Sequence, residues 1–143
     1  MLAYRSTDRI EYICEDDLAL DRAHAEYNWD QYEKTFDPKF RPVHEGASPT
    51  IFTLRRLDRA QFVAMQKYPA EEQAHWAVTF GLCGLRNLKR GGTDVTLKYR
   101  RYGELGDGLD KATLDTLFAP DLFNALARAI VLFARLDPLG GSP

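Results

Sequence analysis

Cysteine is scarce. Cys14 and Cys83 are the only two in 143 residues, too few for the disulfide framework of a small secreted domain. Long apolar runs are missing as well: the longest is the six residues Ala129 to Ala134, far short of the ~20 needed to cross a bilayer as a helix. The opening MLAYRSTDRIEY has no apolar signal core, so export is not expected and the cytoplasm is the default compartment. Charge of one sign is not in excess either. A formal net charge of -2 and a pI near 5.9 exclude a generally basic nucleic-acid binder. What remains is the composition of a folded domain, 45% hydrophobic and 28% charged, with length for one core but not comfortably two.

The chemistry-bearing residues do not converge in the sequence. His24, His44, His75, Cys14 and Cys83 are scattered, with no CxxC, HxxxH or HExxH spacing, so no metal site is expected. Cys83 and His75 fall eight residues apart on one expected helix, about 12 Å of rise, too far for a nucleophile and its base. The pairs Asp16-Asp17 and Glu71-Glu72 invite an acid–base reading, but neighbours on a helix point in different directions and Glu71-Glu72 suits a helix N-terminus. GELGDG has glycines without the order of a phosphate-binding loop. The expectation is a protein that is not an enzyme and needs no cofactor.

Charge is unevenly placed. Residues 1–47 carry a net of -5, residues 48–102 a net of +6 and residues 103–143 a net of -3. Such blocks favour contact between an acidic arm and a basic middle, or head-to-tail contact between copies.

Along the chain, RIEYIC at 9–14 alternates as a strand with Ile10, Tyr12 and Cys14 on one face. Leu18, Ala25, Trp29, Tyr32 and Phe36 recur at helical spacing and predict a helix over 17–36. DPKFRPVHEGASP at 37–49 holds three prolines and a glycine and reads as a linker. TIFTLRR at 50–56 is a strand with Phe52 and Leu54 inward. Asp58 then begins a helix, with Gln61 completing a capping box and Leu57 and Phe62 placed to staple it. A longer helix is predicted from Glu71 to Lys89, stopped by Gly91-Gly92, with Gly81 and Gly84 allowing a close neighbour. TDVTLKYRRY at 93–102 reads as a second strand pairing with TIFTLRR. A short helix near 110–118 and a final helix opened by Pro120 follow. That last helix is too apolar for a monomer of this size to cover all round, so part of it is expected to face a partner.

The expected fold is α+β and predominantly helical: a two- or three-stranded antiparallel sheet on three to four helices. An extended N-terminal arm and Pro-rich linker (1–47) precede a compact domain (48–138) and a frayed tail (139–143). The candidate partner-binding surface is Leu122, Phe123, Leu126, Ile130 and Phe133, with Trp76 and Phe80 opposite. Arg55, Lys98, Arg100 and Arg101, interleaved with tyrosine, form a basic surface. It could stack bases and neutralise phosphates, although cations that guard an edge strand are the commoner use.

Three stretches carry a family resemblance. SPTIFTLRRL, WAVTFGLCGLRNL and PDLFNALARAIVLFARLDP, in that order between Ser48 and Pro138, resemble the strand, glycine-bearing helix and closing helix of tail assembly chaperones of tailed phages. The resemblance implies a non-enzymatic protein that binds tape-measure or tail-tube proteins during particle assembly in the host cytoplasm. Self-association is also expected, and a membrane or nucleic-acid partner is not. The alternative the resemblance leaves open is a permanent virion component of head, neck or tail whose arm contacts neighbouring capsid, neck or tail subunits.

Overall fold

A computed structural model describes residues 9–117 and 119–135. The expected tail at 139–143 lies outside the described residues. Strand β1 (Arg9–Tyr12) is followed by turns and then helix α1 (Trp29–Thr35). Next come β2 (Ile51–Arg55), α2 (Arg59–Gln66), α3 (Ala70–Gly81) and β3 (Leu82–Arg86). Two short strands, β4 (Lys89–Arg90) and β5 (Thr93–Asp94), precede β6 (Tyr99–Arg101) and β7 (Asp107–Leu109). Helices α4 (Lys111–Leu117) and α5 (Pro120–Arg135) complete the described residues. The mixed α+β class expected from the sequence is present.

The central sheet is antiparallel in the order β1-β2-β3. Phe52 and Leu54 of β2 point into the core while Ile51, Thr53 and Arg55 face outward, as alternation requires. The Asp58 capping box forms in both directions. The Asp58 carboxylate accepts from the Gln61 backbone N–H at 2.8 Å, and the Gln61 carbonyl oxygen Oε1 accepts from the Asp58 N–H at 3.1 Å. Helix α5 is the central core element, with Phe123, Leu126, Ala129, Ile130 and Phe133 all buried. Its C-terminal end is held by Arg56, a buried guanidinium that donates to the Phe133 carbonyl at 2.5 Å and lies 4.3 Å from that residue's ring centre. A cation there satisfies an end carbonyl and complements the helix dipole.

Several expectations are corrected. The stretch 1–47 is not an extended arm where it is described. Arg9–Tyr12 is a strand of the main sheet, in register with Phe52–Arg55, and Tyr12, Tyr32 and Phe36 belong to the same core cluster as α5. The helix expected over 17–36 is confined to Trp29–Thr35, because Asn28 caps it, its side chain accepting from Gln31 N–H. Asp17, Asp21 and His24 each bind a nearby backbone N–H, which favours turns over helix.

The helix expected to reach Lys89 stops at Gly81, and Leu82–Arg86 pairs instead with β2. Glycines at 81 and 84 weaken the helix, while pairing supplies ladder bonds and buries Leu82. A Cβ on Gly81 would stand 2.6 Å from Ile130 of α5, and one on Gly84 would stand 2.8 Å from Thr53 across the sheet. Gly91-Gly92 is the turn of the β4–β5 hairpin, with both φ positive, as a two-residue primed turn needs. Residues 93–102 do not join β2, whose two edges are taken by β1 and β3. They split between β5 and β6, and β6 pairs with β7.

A candidate protein-binding cleft

An open cleft of about 1030 Å³ lies between the turn after β1, the helix α1, the start of β2 and the first half of α5. Its apolar surface comes from Tyr12, Trp29, Phe52, Leu88, Leu122 and Ala125, and its carboxylates are Glu15, Asp16, Asp17, Glu33 and Asp121. Against these five stand two cations, Arg22 and Arg128.

Local chemistry holds these walls. Tyr32 bolts α1 to the sheet: its hydroxyl accepts from the Ile13 N–H at 3.3 Å and donates to the Glu11 carbonyl at 3.2 Å. Arg41, only 1% exposed, lies within 5.4 Å of the ring centres of Tyr12, Trp29 and Tyr32 and so backs the two rings that line the cleft. The acidic turn is pinned by Asp17, whose carboxylate accepts from the Ala19 and Thr50 N–H groups, both at 2.9 Å. Arg22 donates to the Glu15 carbonyl. Arg128 pairs with Glu33 at 2.9 Å, which holds the guanidinium more firmly protonated. Asp17 and Glu33 are thus engaged within the fold, whereas Glu15, Asp16 and Asp121 present exposed carboxylates at the rim.

Cys14 also lines the cleft. Burial, reinforced by Asp16, pushes its thiol up to about 12, so at neutral pH it is protonated and a weak nucleophile. No histidine lines the cleft. Among the described residues no three His, Cys, Asp or Glu side chains converge tightly enough to hold a metal ion. An apolar floor with an anionic rim is suited to an apolar segment bearing cations.

The residues singled out from the sequence fall in three places. Phe80, Phe123, Leu126, Ile130 and Phe133 are core residues, each at most 4% exposed, so the partner surface expected on the last helix is spent on the chain's own interior. The reason is that α3, β2 and α1 enclose that helix from several sides, and α1 was not expected to take part. Trp76 is half-buried, stacked on Tyr68 at 5.0 Å and on Phe80 at 5.7 Å. Leu122 is the one member of that set in the cleft.

Arg55 is the register partner of Arg9. Both guanidiniums lie close enough to Tyr99 to pull its hydroxyl's pKa down, although burial, the larger effect, raises it. Arg100 lies 4.5 Å over the Tyr102 ring, Arg100 and Arg101 are exposed on β6, and Lys98 stands near Asp110. Cys83 is on β3 rather than a helix, and its thiol donates to the Thr53 carbonyl at 3.4 Å.

Sequence reasoning passed over Tyr12, Trp29 and Arg41 as site residues. The signal for Tyr12 and Trp29 was the density of acidic and aromatic residues in 11–33; Arg41 gave none. No family model, curated protein or solved structure matches this chain. Among the described residues no single helix is long and apolar enough to cross a membrane.

Proposed function

We propose that this chain is a non-enzymatic protein of tailed-phage assembly that receives a segment of a tape-measure or tail-tube protein in the cleft. The observation that supports the reading is the cleft's construction, an aromatic and aliphatic floor from β1, α1, β2 and α5 under a rim of exposed carboxylates. Such a surface binds an amphipathic segment through apolar anchors, while the rim selects cationic flanks. The phage assignment itself rests on the resemblance of the stretches SPTIFTLRRL, WAVTFGLCGLRNL and PDLFNALARAIVLFARLDP, the second of which folds as the end of α3 and strand β3.

The test is site-specific crosslinking in the source cells, with a photoreactive phenylalanine analogue at Leu122. Mass spectrometry of the lysate and of purified particles follows. Adducts to a tape-measure or tube protein in the lysate, with the chain absent from particles, are expected. Stoichiometric retention in particles would favour the second reading, a head, neck or tail component, which the exposed basic strand β6 supports as a docking element for neighbours. Adducts to unrelated proteins would overturn both.

A further inference from the structure

The acidic cleft and the basic strand stand at opposite ends of one strand pair. The β1–β2 register sets Tyr12 opposite Phe52 at the end that lines the cleft, and Arg9 opposite Arg55 at the other. Three residues of strand, about 10 Å, separate those pairs. Beside Arg9 and Arg55 lies Tyr99, an exposed large hydrophobic at 46%. It opens β6, whose three residues Tyr99, Arg100 and Arg101 are all exposed. Among the described residues β6 pairs only with β7, which leaves its other edge without a strand partner there. Among the described residues, no carboxylate lies within ion-pairing distance of Arg55, Arg100 or Arg101. Among the described residues the positive end therefore lacks an ion-pair partner, and at the opposite end Glu15, Asp16 and Asp121 have carboxylates to offer.

We infer that the β6–β7 hairpin of one copy docks in the acidic cleft of a second copy, head to tail. The ring of Tyr99 meets the apolar floor at Trp29 and Leu122, and Arg100 and Arg101 reach the carboxylates of Glu15, Asp16 and Asp121. Donor and acceptor are different surfaces, so the contact is heterologous. Each added copy leaves one fresh surface, a cleft or a hairpin, at the growing end, and assembly continues into a ring or an open chain. This rests on the cleft being a protein-binding groove, as proposed above, and is independent of phage origin. In that setting the hairpin and a tail-protein segment compete for one groove.

The experiment is sedimentation velocity on the full chain over a wide concentration range, at about 50 mM and about 500 mM salt, where the screening length falls roughly threefold. Concentration-dependent growth at low salt that collapses to the 16.3 kDa monomer at high salt is expected. A chain that stays monomeric at every concentration in low salt overturns the inference without any variant. Two exposed-site variants test polarity: Arg100→Ala with Arg101→Ala disables the hairpin, and Glu15→Lys with Asp16→Lys disables the cleft. Each alone should be monomeric with an unchanged melting temperature. Mixed, they retain one working hairpin and one working cleft, and should give a 1:1 dimer and nothing larger. Persistent assembly of either variant, a mixture that stays monomeric, or one that grows past the dimer would each overturn it. A monomeric chain that still crosslinks to a tail protein through position 122 would overturn self-docking while leaving the proposed function standing.

Discussion

The Arg41 guanidinium lies 3.1 Å from the centre of the Trp29 ring and 4.4 Å from that of Tyr32, and none of its nitrogens has a hydrogen-bond partner among the described residues. Burial lowers its pKa, and the surrounding tyrosines act in the opposite direction. A desolvated guanidinium over an aromatic face gains on the order of 2 kcal/mol per good contact, which is set against the several kcal/mol of taking it from water. The residue therefore acts through its flat shape as much as its charge.

Replacement of Arg41 should separate those contributions. Arg41→Ala leaves a hole behind the two cleft rings and should lose about 2–5 kcal/mol, as large-to-small core changes do. Arg41→Met keeps the volume without the buried charge and should lie within about 1 kcal/mol of the parent. Urea unfolding of both variants checks this. Equal losses would show that the charge, not the filling, holds the cage.

Gly81 and Ile130 should be coupled. Alanine in place of a helical glycine gains about 1 kcal/mol from backbone entropy. Here, however, the new methyl would meet Ile130 Cδ1 and Cγ2, both at 2.6 Å, and overpacking of that kind costs about 1–3 kcal/mol. Gly81→Ala is expected to be destabilising on balance. Ile130→Val, which deletes Cδ1, should cost less in that background than in the parent. A double-mutant cycle by chemical denaturation measures the coupling, and strict additivity would remove it.

Gln61 should matter more than the cap it completes. Asp58→Ala removes an N-cap acceptor and should cost about 1 kcal/mol. The Gln61 side chain, 3% exposed, returns a bond to the Asp58 N–H and also donates from Nε2 to the Leu105 carbonyl at 2.7 Å, which ties α2 to the β6–β7 connection. Gln61→Ala should therefore lose about 2 kcal/mol, with two groups left unsatisfied. Thermal melts compare the pair, and equal losses would show that the Leu105 bond contributes nothing.

Stability should fall on the alkaline side through Cys14. Its thiol is raised by burial from 9.0 to about 12 in the fold, so the folded state keeps a proton that the unfolded chain releases first. The contribution is complete below about pH 9 and is lost progressively towards pH 12, by about 1.4 kcal/mol per pH unit and at most on the order of 4 kcal/mol. Tyr12 and Tyr32, also raised by burial, add to the loss above pH 10. Cys14→Ala should flatten the decline between pH 9 and 10. An unchanged slope in denaturation midpoints across that interval would contradict the assignment.

Elements specified by adjacent residues were legible in the sequence. The Asp58–Gln61 spacing marks the start of α2, the Phe52/Leu54 alternation marks β2, and Pro120 marks the start of α5, all where the structure has them. The passage from Val78 to Leu85 misled, because an apolar run with two glycines fits a helix as well as a buried strand. Only its pairing with β2 decides. The site was less legible than the fold. Tyr12 and Leu122, or Glu15 and Asp121, share one cleft across more than a hundred residues of chain, and no local pattern brings them together.

By itself the sequence determined the mixed class, the cap of α2, the inward face of β2, the apolar character of α5 and the opposed charge of its two opening blocks. These depend on spacing over a few residues, where backbone geometry and side-chain chemistry act directly. Tertiary structure decided that Arg9–Tyr12 joins the sheet, that α3 breaks at Gly81, that α5 is covered by its own chain, and that acid and base end at opposite ends of one strand pair. Those outcomes are contests between local propensities worth tenths of a kcal/mol and burial worth several, and burial wins only once distant segments have met.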